Sequence, residues 1–203
     1  MMDVGESSFP FENQPTSEIG RGVEFRVLKH DDGWVVKEGI HPEANTFQQL
    51  IEDKRDYDLF CEYIPEFLPE TQHIRGNTSE GKPGNIIRQK EVKGRPLYEL
   101  SDEEILGDTV RPQLINLLAG CTKMWEEKGR IIDLYGPEEQ GLKTLNPRYA
   151  RNIMVEEGTN KVWLVDTAAN KLAFSKESSL RYKIPLTILR VGIKNFLNKL
   201  TGE

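Results

Sequence analysis

Residues 152–166, with the sequence NIMVEEGTNKVWLVD, form the stretch that decides the fold of this chain. Two short runs rich in β-branched and aromatic residues flank a glycine-containing turn at 158–160, which predicts a β-hairpin. The hairpin would begin with the amide of Asn152 and end with the carboxylate of Asp166. Two hard oxygen ligands at one open end suit magnesium held on nucleotide phosphates. The purely structural alternative is that Asn152 caps a turn and Asp166 ends a strand.

A second hairpin is predicted near the N-terminus, where the β-rich runs VEFRVLKH and GWVVKEGI flank the turn at 31–33. Gly20 and Gly22 precede this hairpin, and Lys37, ten residues after Val27, is expected at the end of a strand. Glycine lets backbone N–H groups approach phosphates because it has no Cβ, and a lysine adds a positive charge. Turn glycines and a solvated lysine are the structural alternative.

Helical patterns separate the two hairpins. Residues 43–64 carry apolar side chains at spacings of three and four, which predicts an amphipathic helix that ends before Pro65. Residues 112–128 repeat the pattern, and Gly129 follows as a C-cap glycine. Residues 75–84 indicate a polar loop and the run 86–92 a strand, and Ser101 with Glu104 predicts a capping box at the start of a short helix. The expected inward positions of the first helix are Phe47, Leu50, Ile51, Tyr57 and Phe60, and those of the second are Leu114, Leu117, Leu118, Cys121 and Trp125.

Composition narrows the function classes. The chain has 203 residues, 37% hydrophobic and 30% charged, which is typical of a folded globular protein. A formal net charge of -6 argues against general nucleic-acid binding. The two cysteines form no CxxC pair, which favours a reducing, cytoplasmic compartment without a disulfide framework or zinc site. The chain shows no signal-peptide pattern and no run of about 18 apolar residues, so we expect no transmembrane segment.

Taken together, the two hairpins resemble the protein-kinase and aminoglycoside-phosphotransferase superfamily over roughly residues 18–170. The resemblance implies ATP and magnesium as cofactors. It places Gly20, Gly22 and Val27 in the glycine loop, Lys37 on the phosphates, and Asn152 and Asp166 on the metal.

The resemblance also implies roles for residues between the two hairpins. Backbone groups near Glu91 and Val92 would meet adenine. A glutamate on the helix after Lys37 would orient that lysine. Glu52 is favoured by its spacing, and Glu43, in line with the expected apolar face, is the competitor.

The catalytic loop departs from the family pattern. An aspartate is expected five residues before the metal-binding asparagine, and that position is Pro147. Asp133, in the run IIDLYG, is the nearest substitute and would orient the acceptor hydroxyl. Two alternatives stay open: Asp133 is catalytic, or the protein is a pseudokinase that acts as a nucleotide-binding or regulatory module. A small α+β scaffold with an accidental resemblance is a third.

The prediction is therefore an α+β protein with a two-lobed, protein kinase-like fold. An extended arm would occupy residues 1–17, a sheet-rich N-lobe residues 18–92, and a reduced, mostly helical C-lobe residues 93–203. The chain would transfer the γ-phosphate of ATP to an unidentified phosphoryl acceptor, either a protein or a small molecule.

A basic segment ends the chain. A helix is expected from about residue 186 to residue 200, with an apolar stripe beside Arg190, Lys194 and Lys199. The stripe would complete the core of the C-lobe. In the alternative, the helix docks on an acidic partner or an anionic membrane surface.

Overall fold

The computed structural model describes residues 17–21, 25–30, 32–132, 134, 146–166, 169–170 and 180–202. The chain is an α+β protein, with a sheet-rich N-terminal part and the longer helices concentrated toward the C-terminus. It divides into two compact units, Met1–Asp58 with Pro69–Glu91, and Leu59–Leu68 with Val92–Glu203. The border after residue 91 lies one residue from the expected one. Residues 59–68, which we expected in the first lobe, belong to the second unit.

An antiparallel sheet of five strands, in the order β1-β2-β3-β5-β4, forms the centre of the first unit. The predicted hairpin is present, because β2 pairs with β3 in register and Val27 lies opposite Lys37. The central strands contribute core residues such as Val36 and Ile86, which are fully buried. The strands are β1 (Ser17–Arg21), β2 (Phe25–Lys29), β3 (Trp34–Gly39), β4 (Thr71–Asn77) and β5 (Pro83–Lys90).

The predicted loop at 75–84 was wrong, because β4 and β5 extend into it and form a hairpin. The turn between them is short: Thr78 N–H donates to the carbonyl of Lys82 at 2.8 Å. The run TQHIRGN of β4 contains one strongly apolar residue, Ile74, so it lacks the alternation that marks a strand. Pairing with β5 supplies the order that the local sequence does not indicate.

The first long helix is α1 (Phe47–Tyr63), preceded by the 3₁₀ turn Glu43–Asn45. It begins four residues later than the pattern predicted. Leu50 and Phe60 are buried as expected, but Phe47 and Ile51 are 51% and 39% exposed. The inward face is therefore rotated from the predicted stripe, and it includes the carboxylate residue Asp56, which is 7% exposed.

Two smaller sheets lie in the second unit. The predicted C-terminal hairpin is present as β8 (Ile153–Glu156) and β9 (Val162–Leu164), which pair antiparallel. The strand β6 (Gly94–Pro96) adds to β8, giving the order β6-β8-β9. A separate pair joins β7 (Ile131–Ile132) and β10 (Ala169–Asn170).

Among the described residues, the second unit also contains the helices α2 (Asp102–Leu106), α3 (Val110–Lys128) and α4 (Leu180–Thr201). Ser101 and Glu104 form the predicted capping box at the start of α2. Gly129 ends α3 in the left-handed conformation, as the sequence indicated. The side of α3 that packs into the core carries Leu114, Leu117, Leu118, Cys121 and Met124.

The described part of α4 bears out the core interpretation of the C-terminal stripe. Ile193, Phe196 and Leu200 are at most 4% exposed, and α4 packs against α3. The expected stripe residues at 188 and 189 lie outside the described side chains. Among the described residues, no helix is both long enough and apolar enough to cross a membrane.

Candidate active site

Lys37 lies inside β3, near the middle of the five-stranded sheet. Two strand residues follow it, so the expectation that it ends a strand was wrong. Its neighbours across the sheet are Val27 on β2 and Ile87 on β5, and Ile87 in turn lies opposite His73 on β4. Directly opposite residues share a face of the sheet, so these four side chains form one row. We call it the Lys37 row.

His73 makes the far end of this row electrically neutral. Burial, followed by the charge of Lys54 and more weakly that of Lys37, lowers the pKa of His73 to about 4, although Asp58 acts in the opposite direction. The ring of His73 lies 5.5 Å from the ring of Tyr57 on α1, measured between centroids. Positive charge in the row is therefore carried by the ammonium of Lys37.

Of the two glycines expected to approach phosphates, Gly20 lies among the described residues and Gly22 does not. Gly20 lies in β1 opposite Val27, next to an irregularity in the pairing of β1 with β2. A Cβ added at Gly20 would lie 3.8 Å from the side chain of Val27, an ordinary van der Waals contact. Packing against β2 therefore does not by itself require glycine there. Gly22 lies outside the described residues.

The proposed partner of Lys37 falls on or before α1. Glu52 is half-buried and accepts a hydrogen bond from Nε2 of Gln48 at 3.1 Å. Glu43 lies in the preceding 3₁₀ turn and is exposed, so its expected place on an apolar inward face was wrong. Asp56, which the sequence reasoning passed over, lies on the buried side of α1. Its burial is the signal that distinguishes it, and it is visible only in the folded helix.

Glu91 is already engaged within its own sheet. Its backbone N–H donates to the carbonyl of Gly33 at 3.0 Å, and its carboxylate accepts a bond from Nζ of Lys29 at 2.7 Å. The N–H of Glu91 is therefore occupied within the sheet. The next residue, Val92, is the first residue of this segment that belongs to the second unit, and it is half-buried.

A buried carboxylate next to Lys37 was missed by sequence reasoning. Glu38 is fully buried and projects to the opposite face of the sheet from Lys37. It accepts bonds from the N–H and hydroxyl of Ser79, at 2.6 and 2.8 Å, and from the guanidinium of Arg26. Arg26 also pairs with Glu80 at 2.8 Å. These contacts, which we call the Glu38 cluster, fasten the β4–β5 turn to β3.

Asn152 comes just before β8 and Asp166 just after β9, so both are at the open end of the β8–β9 hairpin. The last paired residues are Ile153 and Leu164, and one further bond extends the ladder, from the N–H of Val165 to the carbonyl of Asn152 at 2.8 Å. Asp166 is the next residue. Asn152 is 9% exposed and Asp166 is exposed, so the hairpin end carries a buried amide on one strand and an accessible carboxylate after the other.

The segment that leads into Asn152 is a tight turn rather than a carboxylate-bearing loop. Pro147 is buried in the 3₁₀ turn Pro147–Tyr149, whose first amides are capped by Oδ1 of Asn146. The position that would carry the family's aspartate therefore contributes to packing. Asp133, the proposed substitute, lies outside the described residues.

This arrangement suits a cation that is shared with a ligand. Among the described residues, no three His, Cys, Asp or Glu side chains are grouped to hold a metal by themselves. Magnesium keeps few protein ligands and completes its octahedron with water and phosphate oxygens. The amide and carboxylate at the end of the β8–β9 hairpin are of the type that such an ion uses.

One cleft of the second unit lies away from these residues. It has a volume of about 350 Å³ and lies between the start of α3 and the turn end of the β8–β9 hairpin, opposite to the end that carries Asn152. The charged part of its lining is mainly acidic, and none of the predicted site residues contributes to it. The charged lining residues are Arg95, Glu104, Asp108, Glu156 and Glu157.

Comparisons with solved structures find distant structural likenesses, and WbdD is among them. No protein-family model and no curated protein matches the chain. The chain is similar to the crystal structure of WbdD, solved at 2.2 Å, with 16% sequence identity and a TM-score of 0.39. The match covers 89% of this chain and 36% of the WbdD chain, so this chain spans little more than a third of that protein. A likeness of this strength leaves the function to be inferred from the residues themselves.

Proposed function

We propose that the chain is a protein kinase-like phosphotransferase with two lobes, which binds ATP and magnesium and transfers the γ-phosphate to a hydroxyl of a protein or small molecule. The observation that carries the proposal is the pairing of Val165 with Asn152. This bond holds an amide and the carboxylate of Asp166 at one hairpin end, in the order and spacing of the superfamily's two metal ligands.

The proposed chemistry is mainly positioning and charge stabilisation. Lys37 would bind the phosphates from the Lys37 row, where its cross-strand neighbours are Val27 and Ile87 and the neutral His73 lies one strand further. Asn152 and Asp166 would hold magnesium, which neutralises charge on the transferred phosphoryl group. Asp133 would accept the proton of the acceptor hydroxyl and align it for in-line attack.

A catalytically silent nucleotide-binding module is the second candidate, and the buried Pro147 favours it. A buried proline at this position contributes no carboxylate and shapes the turn before Asn152. A pseudokinase would retain nucleotide and metal binding and lack turnover. Both candidates therefore share the sites on Lys37, Asn152 and Asp166 and differ at Asp133.

The test is magnesium-dependent ATP turnover, followed with and without candidate acceptors, for the wild-type protein and Asp133→Asn. Loss of a general base lowers turnover by about 100-fold or more while nucleotide affinity stays near the wild-type value. Asp58→Asn is the matched control, because Asp58 is exposed and pairs with Lys54 on α1. Wild-type protein that binds magnesium and ATP without turnover would identify the silent module. Absence of binding would refute both candidates.

A further inference from the structure

The side chain of Arg148 is held by several hydrogen bonds that its local sequence does not indicate. Its guanidinium donates from Nη1 to the carbonyl of Leu97 at 2.7 Å and from Nη2 to the carbonyl of Leu100. Nε points to the carboxylate of Asp102 at 3.4 Å, and the side chain is only 14% exposed. Three donors on one planar group thus meet three acceptors on the segment 97–102.

Asp102 extends this anchor to the C-terminal helix. Nζ of Lys199 on α4 lies 2.8 Å from the second oxygen of the same carboxylate. The hydrogen bond and charge of Lys199, together with the smaller influence of Arg148, lower the pKa of Asp102, so the carboxylate is ionised at neutral pH. Buried side chains such as Phe196 and Leu200 hold α4 in the core. Asp102, which accepts from Arg148, is therefore itself held in place through Lys199 of α4.

Little free chain separates Arg148 from Asn152. Arg148 belongs to the 3₁₀ turn Pro147–Tyr149, and the N–H of Ala150 closes that turn on the carbonyl of Pro147 at 3.0 Å. Ala150 is fully buried. Asn152 is then held from the other side by its backbone bond to Val165. Residues 148–152 are therefore fixed at one end by the guanidinium of Arg148 and at the other end by the β8–β9 hairpin.

The contacts require an arginine specifically. A guanidinium presents several donors in a rigid plane, whereas a lysine ammonium is a compact charge on a flexible stem and cannot reproduce the fork. Lysine at 148 would keep the charge and satisfy one of the two carbonyls. Alanine would leave the carbonyls of Leu97 and Leu100 without this partner.

We propose that Arg148 is a positioning residue: its grip on Leu97, Leu100 and Asp102 fixes the turn that aims the Asn152 amide at the metal. The inference rests on the magnesium site of the proposed function. Arg148 acts through Asn152 and not by contact with the nucleotide. Substitution of Arg148 therefore raises the magnesium concentration that the protein needs and leaves the affinity for nucleotide in the absence of metal unchanged.

The test compares wild type, Arg148→Lys, Arg148→Ala and the control Arg111→Ala, whose side chain is exposed on α3. ATP-dependent thermal stabilisation is titrated with magnesium to find the half-maximal concentration, and ATP affinity is measured separately in EDTA. Loss of a residue that orients a metal ligand weakens metal affinity by about 10- to 100-fold. We expect both Arg148 variants to need at least about 10-fold more magnesium, with ATP affinity in EDTA within about 2-fold of wild type and Arg111→Ala unchanged.

Each outcome decides something distinct. A wild-type protein with no magnesium-dependent response to ATP would refute the proposed function, whatever the variants do. If the wild type responds and the folded variants show the same half-maximal magnesium concentration, the function stands and the positioning role is wrong. If Arg148→Ala does not fold, Arg148→Lys decides alone. Failure of both variants to fold would assign Arg148 to stability instead and would also overturn the inference.

Discussion

The hairpins β2–β3 and β8–β9 are built alike and hold their polar residues differently. Both turn on a glycine of almost equal backbone angle, with φ of 79° at Gly33 and 80° at Gly158. Lys37 lies within a strand that is paired on both sides. Asn152 and Asp166 lie just beyond the last pair of a shorter sheet.

The difference shows two ways of fixing a functional side chain. Ladder hydrogen bonds on both edges of β3 determine where Lys37 points, and its neighbours in the row set the electrostatics. At the end of β8–β9 the ladder supplies one bond to Asn152, and the remaining constraint comes from the preceding turn. The first hairpin should therefore respond to changes in the sheet, and the second to changes in the segments that anchor it.

The largest stability effect is expected from removing the Glu38 cluster, which supports the first hairpin from the face opposite Lys37. Glu38→Ala leaves the buried amide of Ser79 and one arm of Arg26 without their carboxylate. Breaking a buried ion pair costs about 3–5 kcal/mol, and because Arg26 keeps Glu80 we expect about 3 kcal/mol. Denaturant unfolding measures it, with the exposed Glu70→Ala as control. Equal stability of the two variants would contradict the cluster's role.

A smaller, pH-dependent effect is expected from His73 in the Lys37 row. The folded protein keeps His73 neutral down to a pKa of about 4, whereas the unfolded chain protonates near 6.5. Stability is therefore unaffected by this group above pH 6.5 and falls as the pH drops from 6.5 toward 4, by about 2 kcal/mol at pH 5.

Unfolding free energies of wild type and His73→Gln between pH 7 and pH 4 measure this contribution. The variant should lose less stability than the wild type over that range. His41→Gln is the control, because His41 is exposed, and it should follow the wild type. If the stability of wild type and that of His73→Gln fell equally with pH, the folded protein would not keep His73 neutral.

The smallest effect compares the two turns directly. Neither Gly33 nor Gly158 is crowded, since an added Cβ would meet at most Nζ of Lys90 at 3.9 Å. Alanine at either position then costs about 1 kcal/mol, through the positive φ alone. Denaturant unfolding should give similar values for the two variants, and Gly158→Ala should keep its response to magnesium and ATP. A large difference between the two turns would show that they are not equivalent.

The two glycine-turn hairpins, the start of α2 and the end of α3 could be predicted because their signals are local. The turns at Gly33 and Gly158, the capping box at Ser101 and the C-cap at Gly129 are short patterns with a direct backbone cause. They placed Lys37 in a hairpin and put Asn152 and Asp166 at one hairpin end.

The parts that failed depend on distant partners. β4 is polar and owes its order to β5, and the true inward face of α1 emerges only from its packing. The contacts of Glu38 join residues about forty positions apart, and those of Arg148 reach back about fifty positions along the chain. A local pattern contains no signal for either set.

The most direct test of the account is ATP affinity by calorimetry, in EDTA and in saturating magnesium, for wild type, Lys37→Met and Asp166→Asn. A charge-assisted phosphate contact is worth about 1.5–3 kcal/mol, so Lys37→Met should weaken ATP binding by about 10-fold or more in both conditions. Asp166→Asn should match the wild type in EDTA and lose the gain that magnesium brings. Wild-type protein that binds no ATP, or an Asp166→Asn variant that retains the full magnesium effect, would contradict the account.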